Sequence, residues 1–168
     1  MTAFNKFRSF EALDSCHQKI QSHLDELGYL ADQVNQNRLD TGARKSAEDI
    51  ELFFSTTARD HHAREEDEVF PCLLISDNAE TVAQVRDLIE DHFWIEKYWQ
   101  DLSPMLKAIG SGAEDVDMGK LAKAVKLFHD LYSYHIEEEE SMIYPKAKAT
   151  LNILQASNAM NWDASQKG

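Results

Sequence analysis

His61-His62-Ala63-Arg64-Glu65-Glu66-Asp67-Glu68-Val69-Phe70-Pro71 is written a second time in this chain, as His135-Ile136-Glu137-Glu138-Glu139-Glu140-Ser141-Met142-Ile143-Tyr144-Pro145. Aligning the two prolines gives an offset of 145 − 71 = 74 residues, at which His61 falls on His135, Glu65 on Glu139, Glu66 on Glu140 and Phe70 on Tyr144. Four residues of α-helix turn through about 400°, so a His and the Glu four later share a face, about 40° apart. An imidazole nitrogen beside a carboxylate oxygen is a pair of metal ligands, and the chain carries that pair twice. Two such pairs read as a di-metal signature inside a helix bundle.

A further histidine precedes each copy, His17 before the first and His92 before the second, and 92 − 17 = 75. The chain therefore reads as one helix pair used twice, each pair offering a His, then a His with its Glu. An internal repeat of this length is a structural signal before it is a functional one.

The hydrophobic spacing supports four long helices. The first is expected from about Phe10 to Asn37, with Phe10, Leu13, His17, Ile20, Leu24, Leu27, Ala31 and Val34 on one stripe in steps of three and four. Asp40 or Thr41 is placed to cap a second helix over residues 43–74, with Ala47, Ile50, Phe54, Ala58, His61 and Glu65 inward. Its stripe loosens after Glu65, where Glu68 and Val69 compete, and Pro71 should kink or end it. Asp77-Asn78-Ala79-Glu80 resembles an amino-terminal capping box. The third helix then presents Val82, Val85, Ile89, His92, Glu96 and Trp99, with a kink or early stop at Pro104 and a carboxy-terminal cap at Ile109-Gly110. The fourth, from about Met118 past Tyr144, carries Leu121, Val125, Phe128, Tyr132, His135, Glu139 and Met142. The expected architecture is all-α, an up-down-up-down four-helix bundle, with a domain over residues 1–150 and a polar tail over 151–168 that packs loosely.

Bulk properties narrow the function. A formal charge of −13 argues against nucleic acid and anionic membranes, which select basic patches. Cys16 and Cys72 are too few for a disulfide framework or a thiolate zinc site. The amino terminus has no apolar run of signal-peptide type, and no stretch approaches the ~20 apolar residues of a membrane span. The expectation is a cytoplasmic protein.

The acids on the inward stripes decide the chemistry. An ionised carboxylate inside a bundle costs several kcal/mol unless something positive pairs with it. Glu65 and Glu139 lie inward among four histidines, with no Lys or Arg on the same stripes, so a pair of cations supplies the missing charge. By the same angular reading Glu137 and Glu140 point to solvent. His62 with Glu66 forms a rival register, which the repeat rejects because position 62 matches Ile136; an accessory ligand role for His62 stays open.

These blocks resemble the hemerythrin-like, or HHE cation-binding, superfamily, and the resemblance runs from about residue 10 to 147. It implies a non-haem di-iron centre of Fe–O–Fe or Fe–OH–Fe type, with His17, His61, His92 and His135 as terminal ligands and Glu65 and Glu139 as bridges. Zinc or manganese would be the substitute metals. If the nitrogens divide evenly, each ion receives four protein ligands and a solvent bridge, leaving about one octahedral position for O₂, NO or peroxide. The chain departs from oxygen-carrying hemerythrins at Glu96, where those proteins have a second His one turn after the third-helix His. Glu96 is then either an extra ligand or an acceptor for a His N–H. The implied function is binding or sensing of a small diatomic ligand or peroxide. The alternatives are a di-iron redox enzyme or iron donor for repair of damaged iron–sulfur clusters, and an iron-storage or structural bundle.

Overall fold

A computed structural model of the chain describes residues 3–36, 38–113 and 116–153, with side chains from residue 10 onwards. The chain forms α1 (Ala3–Asn35), α2 (Thr41–Ser55), α3 (Thr57–Arg64), a π-helical turn π1 (Glu65–Val69), α4 (Pro71–Leu74), α5 (Ala79–Gly110), α6 (Met118–Glu138) and a second π turn, π2 (Glu139–Ile143). Helix resumes over 144–153. These pieces build four rods, 3–35, 41–74, 79–110 and 118–153. α1 packs on α2 and α6, and α5 packs on the same two helices. Short connections make each neighbouring pair antiparallel, the up-down-up-down bundle expected from the sequence. Of the tail expected from residue 151, the part beyond Ile153 lies outside the described residues.

The caps are local and chemical. Asp40 accepts from the Ala43 N–H at 2.9 Å and opens α2, and Asp117 accepts from Lys120 N–H at 3.0 Å to open α6. α5 is capped by Asn78, which accepts from Thr81 N–H at 3.1 Å, so the capping residue is one later than a box built on Asp77 and Glu80 requires. α5 also does not stop at Pro104. Burial of Leu102, Leu106 and Ile109 on both sides of the proline holds it in the bundle. The helix ends in a Schellman arrangement, with Gly112 N–H on Ile109 O at 3.0 Å and Ala113 N–H on Ala108 O at 2.9 Å. The left-handed residue is Gly112 (φ 86°), not Gly110.

The second rod is less regular than one continuous helix. Thr56 interrupts it, its hydroxyl bonded back to Leu52 O at 2.6 Å. Pro71 and Pro145 then dictate the π turns. Neither has an N–H to give, and each ring would meet the carbonyl four residues earlier. The chain inserts one extra residue in the turn ahead of each proline, so that Phe70 N–H reaches Glu65 O at 2.9 Å and Tyr144 N–H reaches Glu139 O. The rod continues through the proline. The extra residue rotates the downstream part of the rod by about 100°, which is why the buried set runs Glu65, Val69, Phe70, Leu73 in one copy and Glu139, Ile143, Tyr144, Ala147 in the other. Val69, rather than Glu68, takes the inward place.

Two apolar cores result. One includes Ile20, Leu24, Phe54, Ile95, Trp99, Phe128 and Tyr132, and the other Phe10, Leu13, Phe70, Leu88, Ile143 and Tyr144. Between them lies a polar layer of His17, His61, Glu65, His92, His135 and Glu139, all buried.

Candidate metal centre

The six inward residues meet in that layer. His17 comes from α1, His61 from α3, His92 from α5 and His135 from α6, while Glu65 and Glu139 are the first residues of π1 and π2. His61 Nε2 is 3.1 Å from Glu65 Oε1, and His135 Nε2 is 3.3 Å from Glu139 Oε2, so each i, i+4 pair closes as the sequence repeat requires. The second and fourth rods then exchange contacts with the others. His17 Nε2 lies 3.2 Å from Glu139 Oε2 and 3.6 Å from Glu65 Oε1. His92 Nε2 lies 3.5 Å from Glu65 Oε2 and 3.1 Å from His135 Nε2.

These atoms sort into two groups, each with its candidate ligand atoms within 4.8 Å of one another: His17, His61, Glu65 and Glu139, and His62, Glu65, His92 and His135. Glu65 belongs to both, its Oε1 facing His17 and His61 and its Oε2 facing His92. Glu139 likewise touches one imidazole of each group.

Two of the four outward-facing nitrogens are tied down. His17 Nδ1–H donates to Glu140 at 3.0 Å, and His92 Nδ1–H donates to Glu66 at 2.8 Å. Both acids are second residues of π turns, and both side chains are nearly half exposed (46% and 45%). Glu140 is solvent-exposed, as the angular reading expects, and its carboxylate also reaches sideways to the neighbouring helix. The Glu-Glu doublet, repeated at the same offset, is the signal that could have found both. His135 Nδ1 faces Asp91 at 3.6 Å, beyond hydrogen-bond reach.

Two tyrosines complete the layer and break its symmetry. The Tyr144 hydroxyl donates to Glu65 Oε1 and its ring stacks on His17 at 5.3 Å; the equivalent Phe70 stacks on His92 at 5.7 Å with no hydroxyl to give. On the other side, the Tyr132 hydroxyl shares a 2.9 Å hydrogen bond with His62 Nε2, and the His62 ring lies flat on His92 at 4.0 Å. The repeat argues against a role for His62, yet it joins the second group. Glu96 takes neither role expected of it. It pairs with Arg59 at 2.7 Å and belongs to neither candidate ligand group.

Burial and charge pull the titrations apart. Burial opposes charge on His17, but the closely facing carboxylates of Glu139 and Glu65 prevail and push its pKa up to about 10. Burial also works to raise Glu65, yet the facing imidazoles of His17, His61 and His92 hold it well below the usual carboxylate range. Glu139 is pushed up, first by burial and then by the charge of Glu65. Burial and the nearby His92 keep His62 well below the ordinary imidazole value, so its ring is neutral.

The donor set fits a cation pair. The inward atoms His61 Nε2, Glu65 Oε2 and both Glu139 oxygens are buried with no hydrogen-bond partner. Orphaned polar atoms at this density are costly unless something else satisfies them. Ligand atoms about 2.1 Å from one ion and at right angles lie about 3.0 Å apart, and the shortest His–His and His–Glu contacts within the layer are 3.1, 3.1, 3.2 and 3.3 Å.

The fold and the site thus define a class of protein, a helical bundle whose inward face holds a buried His/Glu cluster able to take metal. Residues 8–147 match the hemerythrin HHE cation binding domain, and the chain belongs to that family. An uncharacterized protein of Haemophilus influenzae is 26% identical over 133 residues, covering 79% of this chain and 74% of the relative. No described helix is long and apolar enough to cross a membrane.

Proposed function

We propose that this protein is a non-haem di-iron protein that binds or senses O₂, NO or peroxide. The observation that carries the reading is the pair of His/Glu groups joined through Glu65, with Glu139 touching both. In this assignment His17 and His61 would hold one iron and His92 and His135 the other, with Glu65 and Glu139 shared between them. Mixed imidazole and carboxylate donors suit iron or manganese, with zinc as the competitor. Bound iron would supply an open coordination position and a change of redox state.

The chain's own residues prepare that site. Glu66 and Glu140 fix the tautomers of His92 and His17, so that each presents an unprotonated Nε2 inward when loaded. The two apolar cores exclude bulk water from above and below. The test is metal analysis of protein produced with ample iron, followed by anaerobic NO titration of the reduced form. Two irons per chain and a visible spectrum that changes with NO are expected. A preparation that never holds two metals, or a reduced di-iron form whose spectrum ignores O₂, NO and peroxide alike, rules the reading out.

A further inference from the structure

A narrow void approaches the centre from one side and ends at His62, one ring short of the ligand layer. It lies between the second and third rods against α6, with Ala58, Ile95 and Phe128 among its apolar walls and His62 and Tyr132 at its inner end. Arg59 and Glu96 form its outer end. The space is about 200 Å³ including its open mouth, and inside it has room for roughly one water. It is too small for an organic substrate, and a diatomic molecule passes only as the walls move. His62, at the inner end, stacks on His92 of the second metal group. The opposite side of the centre is covered by the buried Tyr144 ring on His17, with Phe10 edge-on behind it at 5.6 Å.

We propose that this void is the route inward for the small ligand, and that the Arg59–Glu96 ion pair is its outer closure. The proposal rests on the di-iron reading and adds the side of approach, the size limit and the gate. Glu96 explains itself in this role: from its place one turn beyond His92 it reaches outward to Arg59 across a 2.7 Å contact. The pair is partly exposed, 56% for Arg59 and 31% for Glu96, and such ion pairs are weak and break readily. Behind it the walls carry no charge, and the Trp99 indole N–H is committed to Ser55 at 3.1 Å. At the inner end, the hydrogen bond shared by Tyr132 and His62 offers the incoming molecule a hydroxyl. An uncharged diatomic molecule or hydrogen peroxide passes that lining; a hydrated ion does not.

Two measurements test this separately from the metal chemistry. In zinc-loaded protein, dissolved O₂ serves as a paramagnetic probe of methyl relaxation. Ala58 and Ile95 should relax faster with O₂ than Leu13 and Ile20, which are fully buried elsewhere, and Ala58→Leu should abolish the excess at Ile95. In reduced iron-loaded protein, the NO association rate should rise in Arg59→Ala and Glu96→Gln, both at the surface, and fall about tenfold in Ala58→Leu. Equal relaxation at the methyls of all four residues, or NO rates indifferent to all three substitutions, overturns the route. If iron-loaded protein ignores NO, O₂ and peroxide alike, the di-iron reading fails while the zinc-form relaxation still decides whether the void admits a diatomic gas.

Discussion

Glu140 and His17 sit 123 residues apart and meet at 3.0 Å, and the internal repeat reproduces that contact in Glu66 and His92 at 2.8 Å. In each case a half-exposed acid takes the outward N–H of a buried imidazole on the adjoining helix. Such partners fix ring orientation and raise ligand basicity, and their loss costs about 10–100-fold in metal affinity. Glu66→Ala and Glu140→Ala are each expected to weaken metal binding by that factor while leaving the helical fold intact. Competition against a chelator of known affinity, paired with circular dichroism, measures both. Unchanged affinity in both variants would mean the two acids are ordinary surface residues.

Metal removal should cost stability, because the layer between the two cores holds buried acids and imidazoles with nothing else to satisfy them. A ligand held by the native state alone adds about 2.7 kcal/mol at a hundredfold excess over its Kd. The loaded protein should melt well above the metal-free form. In a His61→Ala, Glu65→Ala double variant that gap should close. Calorimetry with and without chelator checks it, and a gap that survives in the variant would place the stabilising metal elsewhere.

The bundle itself is legible because its inward stripes step by three and four without a break in α1 and α6, and the 74-residue offset fixes the phase of His61 and His135 together. The π turns are not, because a period of 3.6 cannot register one inserted residue. The prolines that demand them are visible, but they read as helix ends. Glu66 and Glu140 escape for a related reason: an angle around one helix says nothing of a side chain long enough to reach the next. His62 is legible only as an open accessory role, because a repeat argues for symmetric sites and this one is asymmetric, with Ile136 at the matching place. Glu96 cannot be resolved from sequence, since its partner Arg59 lies on another rod.

Loading should release protons. The His17 pKa stands at about 10 in the metal-free protein, against 6.5 for an ordinary imidazole, so at neutral pH the ring holds a proton that must leave before Nε2 accepts a cation. Glu139 is raised too, by burial and by the charge of Glu65. Apparent affinity therefore rises with pH across the neutral range and keeps rising until His17 is deprotonated. The same shift stabilises the metal-free fold fully below pH 6.5, and the contribution is lost as pH climbs through about 10. Zinc binding measured calorimetrically in two buffers of different ionisation heat should report net proton release near pH 7; zero release contradicts the assignment of His17.

Tyr144 gives a readout of the metal-free state in particular. Its hydroxyl donates to Glu65 Oε1, and the equivalent residue in the first copy is Phe70, so Tyr144→Phe preserves the shape found there. The change strips one donor from a fully buried carboxylate, at a cost of about 1–3 kcal/mol. The metal-free protein should lose that much stability in a urea titration. The loaded protein should lose less, because bound cations engage the same oxygen in the donor's place. Equal losses in both states would mean that Glu65 Oε1 does not face a metal.

His62 separates a ligand from a neighbour. Its Nε2 is engaged by Tyr132 at 2.9 Å, and its ring lies parallel to His92, 16° from coplanar, so it is placed to face an incoming molecule rather than to hold iron. His62→Gln should keep two metals per chain, since His92, His135 and both bridging acids remain, while the Tyr132 hydroxyl loses its imidazole acceptor. The spectrum of the reduced protein with NO should then shift relative to wild type, and Tyr132→Phe should shift it in the same sense. Elemental analysis decides the first point. A fall from two metals to one would move His62 into the coordination sphere and make the second ion's ligand set three imidazoles and two carboxylates.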